Sequence, residues 1–492
     1  MPKTLSCFSI PPIFYIFGPY IHIANKQSFN EMNKDDVSSI EKQRQQVFDL
    51  TPNLILDSPC LLGEGIIGQN EIELDNSLKS YAKSISHREL FIPASGSGSR
   101  MFQFLYTFLE TGVITDEINR FFDELHKLAC YESFSEELVQ SIKEKDFIKS
   151  AKLILFKEGM NYGLIPKGLI PFHLINGQSR NPFQQHVIQA ESIFDKNYDV
   201  QFTIQKEFES EIVSSISEVY DKNCKKFTIC YSEQDTNTNA FVFSADKSLV
   251  YDGGKMLRRP AGHGALLTNL EASQAEVICI KNIDNVQPAN ESELSTKYWH
   301  VAIGYIDLFK KAAIELLNNF SIESLISFND RFKVFHNETL NAITKIDFEC
   351  YMKRPIRVCG MVKNEGKPGG GPFWVNTDGV VSKQIVESSQ ISKEAQQQSV
   401  LMASTHFNPV FMVISKQDVF GNKLCLFDFV DDSKYLNVKK SHKGKDVFFR
   451  ELPGLWNGSM HNWNSIFIEM PVEIFTPVKS VLDLFDPPHT VD

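Results

Sequence analysis

The sequence predicts an α/β protein: a mixed sheet with helices on both faces, a helical insertion, and an α+β carboxyl-terminal part. Three observations predict it. From about Gly163, short β-rich runs alternate with helix-like segments, the pattern of strands joined by crossover helices. A glycine-rich loop joins a strand to a helix near residue 96. After about Ile356, glycine, aromatic and β-branched residues rise, and short strands follow one another.

The elements follow in order. Asn33 to Leu50 reads as a helix, with Val37, Ile40, Val47 and Phe48 on one stripe. A second helix covers about Leu78 to Ile85, and a strand covers Glu89 to Ile92. Helix resumes at Met101, because Met101, Phe104, Leu105, Phe108 and Leu109 keep helical spacing. Glu117 to Phe156 supplies further helices. Val200 to Ile204, Phe227 to Tyr231 and Val277 to Ile280 read as strands, with helices at Glu211 to Tyr220 and Gly264 to Leu270. Trp299 to Leu317 is a long helix, and Asn337 to Ile346 another. The later strands are Ile356 to Met361, Phe373 to Val375, Val410 to Ile414, Leu424 to Phe427, Val447 to Phe449 and Ile466 to Glu469. Four segments result: an extension at 1–31, a helical segment at 32–88, a core at 89–355 with a helical insertion at about 111–157, and a carboxyl-terminal part at 356–492.

A chain of 492 residues, 42% hydrophobic, can bury a large core without disulfides or structural metals. Its net charge of −11 repels bulk nucleic acid. The densest basic cluster, Lys439, Lys440, Lys443 and Lys445, reads as a solvated loop. The nine cysteines form no C-x-x-C pair, which fits a reducing, cytoplasmic compartment without a zinc site. Phe8 to Ile23 is apolar, but Pro11, Pro12, Gly18 and Pro19 interrupt it. It is too short and broken to span a bilayer and lacks a small-residue cleavage site. Residues 1–31 are therefore expected to be disordered or to precede the true start.

The loop Pro93-Ala94-Ser95-Gly96-Ser97-Gly98-Ser99-Arg100 has the chemistry of a phosphate cradle. Its glycines permit a tight turn and close approach of backbone N–H groups. The following helix aims its positive end at the same place. Arg100 adds a fork of donors. No G-K-[ST] follows, so it is not a Walker loop. The alternative is a plain strand–helix turn.

The stretch Ala94 to Met101 resembles the A-x-G-x-G-[ST]-R-M signature of sugar-1-phosphate nucleotidyltransferases. In those enzymes a P-K follows, and here Pro166-Lys167 supplies it beyond the helical insertion. Arg259-Pro260-Ala261-Gly262-His263-Gly264 resembles the P-[PG]-G-H-G segment of UDP-glucose pyrophosphorylases. Asn282-Ile283-Asp284-Asn285 resembles their N-x-D-N, and Phe475 to Leu484 their F-x-P-V-K-x-x-x-D-L. These blocks occur in the family's order. Val362 to Trp374, Ser404 to Pro409 and Leu452 to Gly458 are similar to an uncharacterised bacterial family, domain of unknown function 4301. Phe411 departs from the pattern, because an acidic residue is expected after Asn408-Pro409-Val410.

The resemblance implies a Rossmann-like sheet of the nucleotidyltransferase (GT-A-like) type and a set of roles. Ala94, Ser95, Gly96, Ser97, Gly98 and Ser99 would wrap a nucleoside triphosphate, with UTP implied. Gly262, His263 and Gly264 would meet its base. Arg100, Lys167 and Lys479 would neutralise phosphate charge. Asp284, at the end of a core strand, would hold Mg²⁺; the alternative is an Asp that caps the next turn. Gly370 and Gly371, with Gly369 and Lys367, would lie under the phosphate of a second, phosphorylated small-molecule substrate. Glu387, Thr405, His406 and Asn408, with Ser388, Ser389 and Gln390, would contact its hydroxyls. The implied reaction releases pyrophosphate and involves no nucleic acid or membrane. The competing expectation is a nucleotide-binding regulatory protein that turns nothing over.

Overall fold

The computed structural model describes residues 34–50, 54–84, 86–194, 196–220, 227–288, 292–364 and 370–490. The expectation for residues 1–31 lies outside them, as do Lys367 and Gly369. Two units are distinguished, 1–42 and 43–492. Of the first, the described part is the start of the helix Lys34–Phe48. The second holds the sheet.

Eight strands form that sheet: β1 (Arg88–Pro93), β2 (Tyr198–Thr203), β3 (Phe227–Ser232), β4 (Val277–Lys281), β5 (Ile356–Lys363), β6 (His406–Phe407), β7 (Phe411–Ser415) and β8 (Asn464–Glu469). Their order is β6-β5-β7-β4-β1-β2-β3, with β8 also on β5. β4, β1, β2 and β3 are parallel neighbours. β7 runs against both β4 and β5, and β8 runs parallel to β5. The carboxyl ends of β1, β2, β3, β4, β5 and β8 therefore share one edge. The part of the chain after 356 extends the same sheet.

Burial on both faces explains the unbroken apolar runs. In β4 every residue is buried. Cys279 packs with Phe183, Val187, Ile212 and Trp299, on the helices Pro182–Ile193, Glu209–Ser217 and Ser292–Asn318. Ile278 and Ile280 pack the other way, with Leu266, Leu270, Trp374 and Ile385. Trp374 and Ile385 belong to a small antiparallel sheet of Ile55–Pro59, Gly371–Thr377 and Val380–Val386. The mixed α/β architecture is as the sequence predicts.

The insertion comprises the helices Asp116–Glu124, Glu136–Lys143 and Phe147–Leu155. Thr115, Ser135 and Asp146 cap their first turns with side-chain oxygens. Its apolar cluster also takes in Met101 and Phe102 after the glycine loop, and Val478, Val481 and Leu484 near Lys479. The insertion is thus packed under two of the predicted phosphate-binding blocks.

Several expectations need correction. Leu424 to Phe427 forms no strand; the chain turns as a short 3₁₀ helix, Leu426–Phe429, with Leu426 buried. The basic cluster is not a loop but a hairpin, Leu436–His442 against Lys445–Glu451. Its turn, Lys443-Gly444, has positive φ at both residues, which suits the twist of paired strands. The second helix runs from Leu74 to Lys83. Asn337–Ala342 is a 3₁₀ turn, and the helix there begins at Lys345, capped by Thr344. Phe411 lies flat on Trp299, with ring centroids 3.6 Å apart, and belongs to the core.

Candidate active site

The loop after β1 continues the strand's pairing before it turns. Ala94 N–H donates to Thr203 O at 2.9 Å. Gln205 Nε2 donates to Ser95 O at 2.8 Å. The Pro166-Lys167 block then runs beside the loop. Lys167 N–H donates to Gly96 O at 3.1 Å, and Gly98 N–H donates to Ile165 O at 2.9 Å. Two blocks separated by the whole insertion are therefore joined through backbone. Gly96 and Ser97 are exposed, and nothing crowds Gly96. Ser97 Oγ and Ser99 Oγ lie 2.9 Å apart. Gly98 has no room for a side chain: a Cβ there would come within 2.6 Å of Tyr162 O. Gly98→Ala should cost about 1–3 kcal/mol, read as a lower denaturation midpoint; an unchanged midpoint would show that the loop is not held this way. Arg100 is exposed in the first turn beyond.

Three side chains from three blocks converge at the end of β4. Lys167 Nζ donates to Asp284 Oδ2 at 2.9 Å. Lys479 Nζ donates to the same oxygen at 3.0 Å. Lys167 Nζ also donates to Val478 O. The segment carrying Lys479 is stitched to the strand end: Val478 N–H donates to Asp284 O at 3.0 Å. Thr476 N–H donates to Asn285 Oδ1 at 3.1 Å. Asp483, in the F-x-P-V-K-x-x-x-D-L spacing, accepts from the backbone N–H of Lys479 at 2.6 Å and of Ser480 at 2.8 Å. Asn285 and Asp483 stand inside the resembling blocks, and the fold shows that Asn285 ties the Lys479 segment to the strand end while Asp483 holds the backbone of that segment.

The remaining predicted residues gather around the ends of β5 and β7. Lys363 pairs with His406 across β5 and β6. His406 is 3% exposed; Thr405 Oγ1 lies 2.8 Å from its Nδ1. Its Nε2 is 3.6 Å from Glu469 Oε1 and has no hydrogen bond among the described residues. Asn408 spends its side chain on backbone, donating to Gly360 O at 2.8 Å and accepting from Val410 N at 3.1 Å. Its own N–H donates to Gly370 O at 2.8 Å. Gly371 starts the strand that pairs with Val380–Val386, and Glu387 follows that partner strand. Ser388–Gln390 forms a short 3₁₀ turn behind Glu387. His263 sits between Gly262 and Gly264 near Glu387, 3.5 Å from Nε2 to Oε1.

The family described as domain of unknown function (DUF4301) matches residues 24–490. The chain belongs to this family. Among curated proteins nothing matches it. Solved structures similar to this DUF4301 chain include a mutant UDP-glucose pyrophosphorylase from Leishmania major, at 13% identity and TM-score 0.44, over 92% of this chain and 75% of that one. Another is a UDP-glucose phosphorylase from Trypanosoma brucei, at 13% identity and TM-score 0.46, over 91% and 77%.

In the DUF4301 chain two ammonium groups share one carboxylate oxygen, and a second acidic side chain, Asp483, also acts on Lys167. Burial alone would raise the Asp284 carboxyl, but the charges and hydrogen bonds of Lys167 and Lys479 outweigh it and hold it below its ordinary value. Burial dominates at Lys167 and lowers its ammonium despite the pull of Asp284. Asp284 Oδ1 is buried without a hydrogen-bond partner. That orphan oxygen fits a hard divalent cation that takes its other ligands from phosphate and water. Among the described residues no three His, Cys, Asp or Glu side chains are grouped to hold a metal by themselves. Among them also, no helix is long and apolar enough to cross a membrane.

Proposed function

We propose that this chain is a cytoplasmic nucleotidyltransferase. It joins a nucleoside triphosphate, UTP by resemblance, to a sugar 1-phosphate or a similar phosphorylated acceptor, and it releases pyrophosphate. The observation that carries this reading is the meeting of Lys167, Lys479 and Asp284 beside the glycine loop, at the carboxyl edge of the parallel strands. Attacking group and target are both phosphates, so the chemistry is positioning and charge neutralisation. Lys167 and Lys479 supply fixed positive charge where the two anions must approach. The exposed part of the loop, Gly96 and Ser97, presents backbone to the triphosphate, and Arg100 stands at its rim. Mg²⁺ bound at Asp284 Oδ1 would supply Lewis-acid polarisation and charge neutralisation.

The test is pyrophosphate release by the purified protein with Mg²⁺, across the four nucleoside triphosphates and a panel of sugar 1-phosphates. Acceptor-dependent release with one triphosphate is the expected result. The second reading, a protein that binds nucleotide without turnover, is favoured by Phe411, which fills with core packing a place where the pattern has a carboxylate. Nucleotide binding by calorimetry without any release would select it.

A further inference from the structure

The geometry around His263 leaves it little capacity to read a base. Nδ1 accepts the backbone N–H of Leu455 at 3.0 Å. An accepting Nδ1 carries no proton, so a neutral ring holds its proton on Nε2, which faces Glu387 Oε1 at 3.5 Å. Trp456 stacks on the ring, with centroids 4.1 Å apart at 27°. Gly454 closes in as well: a Cβ there would lie 2.6 Å from Cε1 and 2.7 Å from Nε2. The neighbouring glycines are explained by the local fold too. Gly262 has a φ of 74°, and a Cβ on Gly264 would stand 2.1 Å from Pro453 O. The Arg259–Gly264 block is a seat for the segment that follows Glu451.

Glu387 is held by the backbone N–H of Gln390, which donates to its carboxylate in a capping box, and His263 Nε2 faces it at 3.5 Å. Its side chain is still 34% exposed. A Cβ on Gly370 would come 3.8 Å from its Cγ, and Gly370 O is bonded to Asn408 N. Asn408 leads into β7, where Phe411 pairs with Lys281. Lys281 ends the strand that delivers Asp284, and adjacent strands lie about 4.8 Å apart. Glu387 therefore stands at the same edge as the cationic cluster, displaced along it.

We infer that His263 is a positioning residue for Glu387, and that Glu387 selects the acceptor through its hydroxyl groups. The second half rests on the transferase reading above. An ionised carboxylate only accepts hydrogen bonds. Anchored by Gln390 and faced by His263, it suits paired donors such as the adjacent hydroxyls of a sugar ring. A simple alkyl phosphate offers none, so the acceptor class is a polyhydroxylated phosphate.

Two measurements test this. The first is a long-range ¹H–¹⁵N histidine spectrum of the whole protein, with His263 assigned by His263→Gln. The expected ring is unprotonated at Nδ1, is shifted by Glu387→Gln, and is unmoved by UTP alone. An Nδ1–H tautomer, or a shift on adding UTP alone, would overturn the positioning role without reference to turnover. The second is steady-state kinetics. Glu387→Gln should raise the KM for the sugar phosphate about tenfold and leave that for the triphosphate unchanged. His263→Ala should act in the same direction, and the double variant should be no worse than Glu387→Gln alone. A His263→Ala protein that raises the KM for the triphosphate instead would make His263 a base contact. A wild-type protein that never releases pyrophosphate would sink the transferase reading and the acceptor role of Glu387, while the His263–Glu387 couple stands or falls on the spectrum.

Discussion

Asp284→Asn is expected to reduce pyrophosphate release by about 10³-fold and to cost about 3 kcal/mol of stability. Both effects come from one atom pair. Asp284 Oδ2 is the common acceptor of Lys167 and Lys479, and its Oδ1 is the oxygen left for a divalent cation. An asparagine keeps the shape but removes the charge, so Lys167, only 12% exposed, loses its ionic partner. The pH dependence has a defined sign. The folded carboxyl lies below its ordinary value of about 3.9, so its stabilisation is whole above the unfolded value and is lost as pH falls through the folded one. The wild-type advantage in urea midpoint should hold from pH 7 to 5, by this argument, and shrink below about pH 4. An Asp284→Asn protein that remains fully active removes the metal assignment; one with an unchanged midpoint removes the structural role.

Lys167→Met should separate chemistry from stability. Methionine keeps most of the apolar stem and deletes the ammonium. Turnover should fall about 10²–10³-fold, because a fixed positive charge beside the reacting phosphates is gone. Stability should fall less than in Asp284→Asn, because the carboxylate left behind still pairs with Lys479, whereas Asp284→Asn leaves the buried Lys167 ammonium without an anion. The far-ultraviolet spectrum would then match wild type, and the denaturation midpoint would fall by less than that of Asp284→Asn, while pyrophosphate release collapses. Retention of release within threefold would mean that Lys167 only joins the glycine loop to Val478.

The central strands were legible because burial on both faces writes itself as continuous apolar runs, as in Val277 to Lys281. The helices of the insertion were legible from their stripes, and Thr115, Ser135 and Asp146 mark their starts. Less legible were elements whose pattern is mixed. The helix Pro182–Ile193 carries Gln184, Gln185, His186 and Gln189 on buried positions, so polar residues interrupt its stripe. The hairpin at Leu436–Glu451 is rich in lysine, which reads as solvated loop until its partner strand is seen.

The candidate site divides the same way. The amino-acid sequence by itself determined the strand ends, the glycine loop and the order of the blocks, because these depend on local periodicity and on residue types at short spacing. Only the tertiary structure decided that Lys167 and Lys479 meet on one oxygen of Asp284, that Asn408 is consumed by backbone, and that His263 turns toward Glu387 rather than into open space. The contacts of Asp284 with the two lysines and of His263 with Glu387 and Leu455 join residues more than a hundred positions apart. They are set by sheet register and by close packing at positions such as Gly98 and Gly264, where a single Cβ has no room, and neither is written in any one stretch of chain.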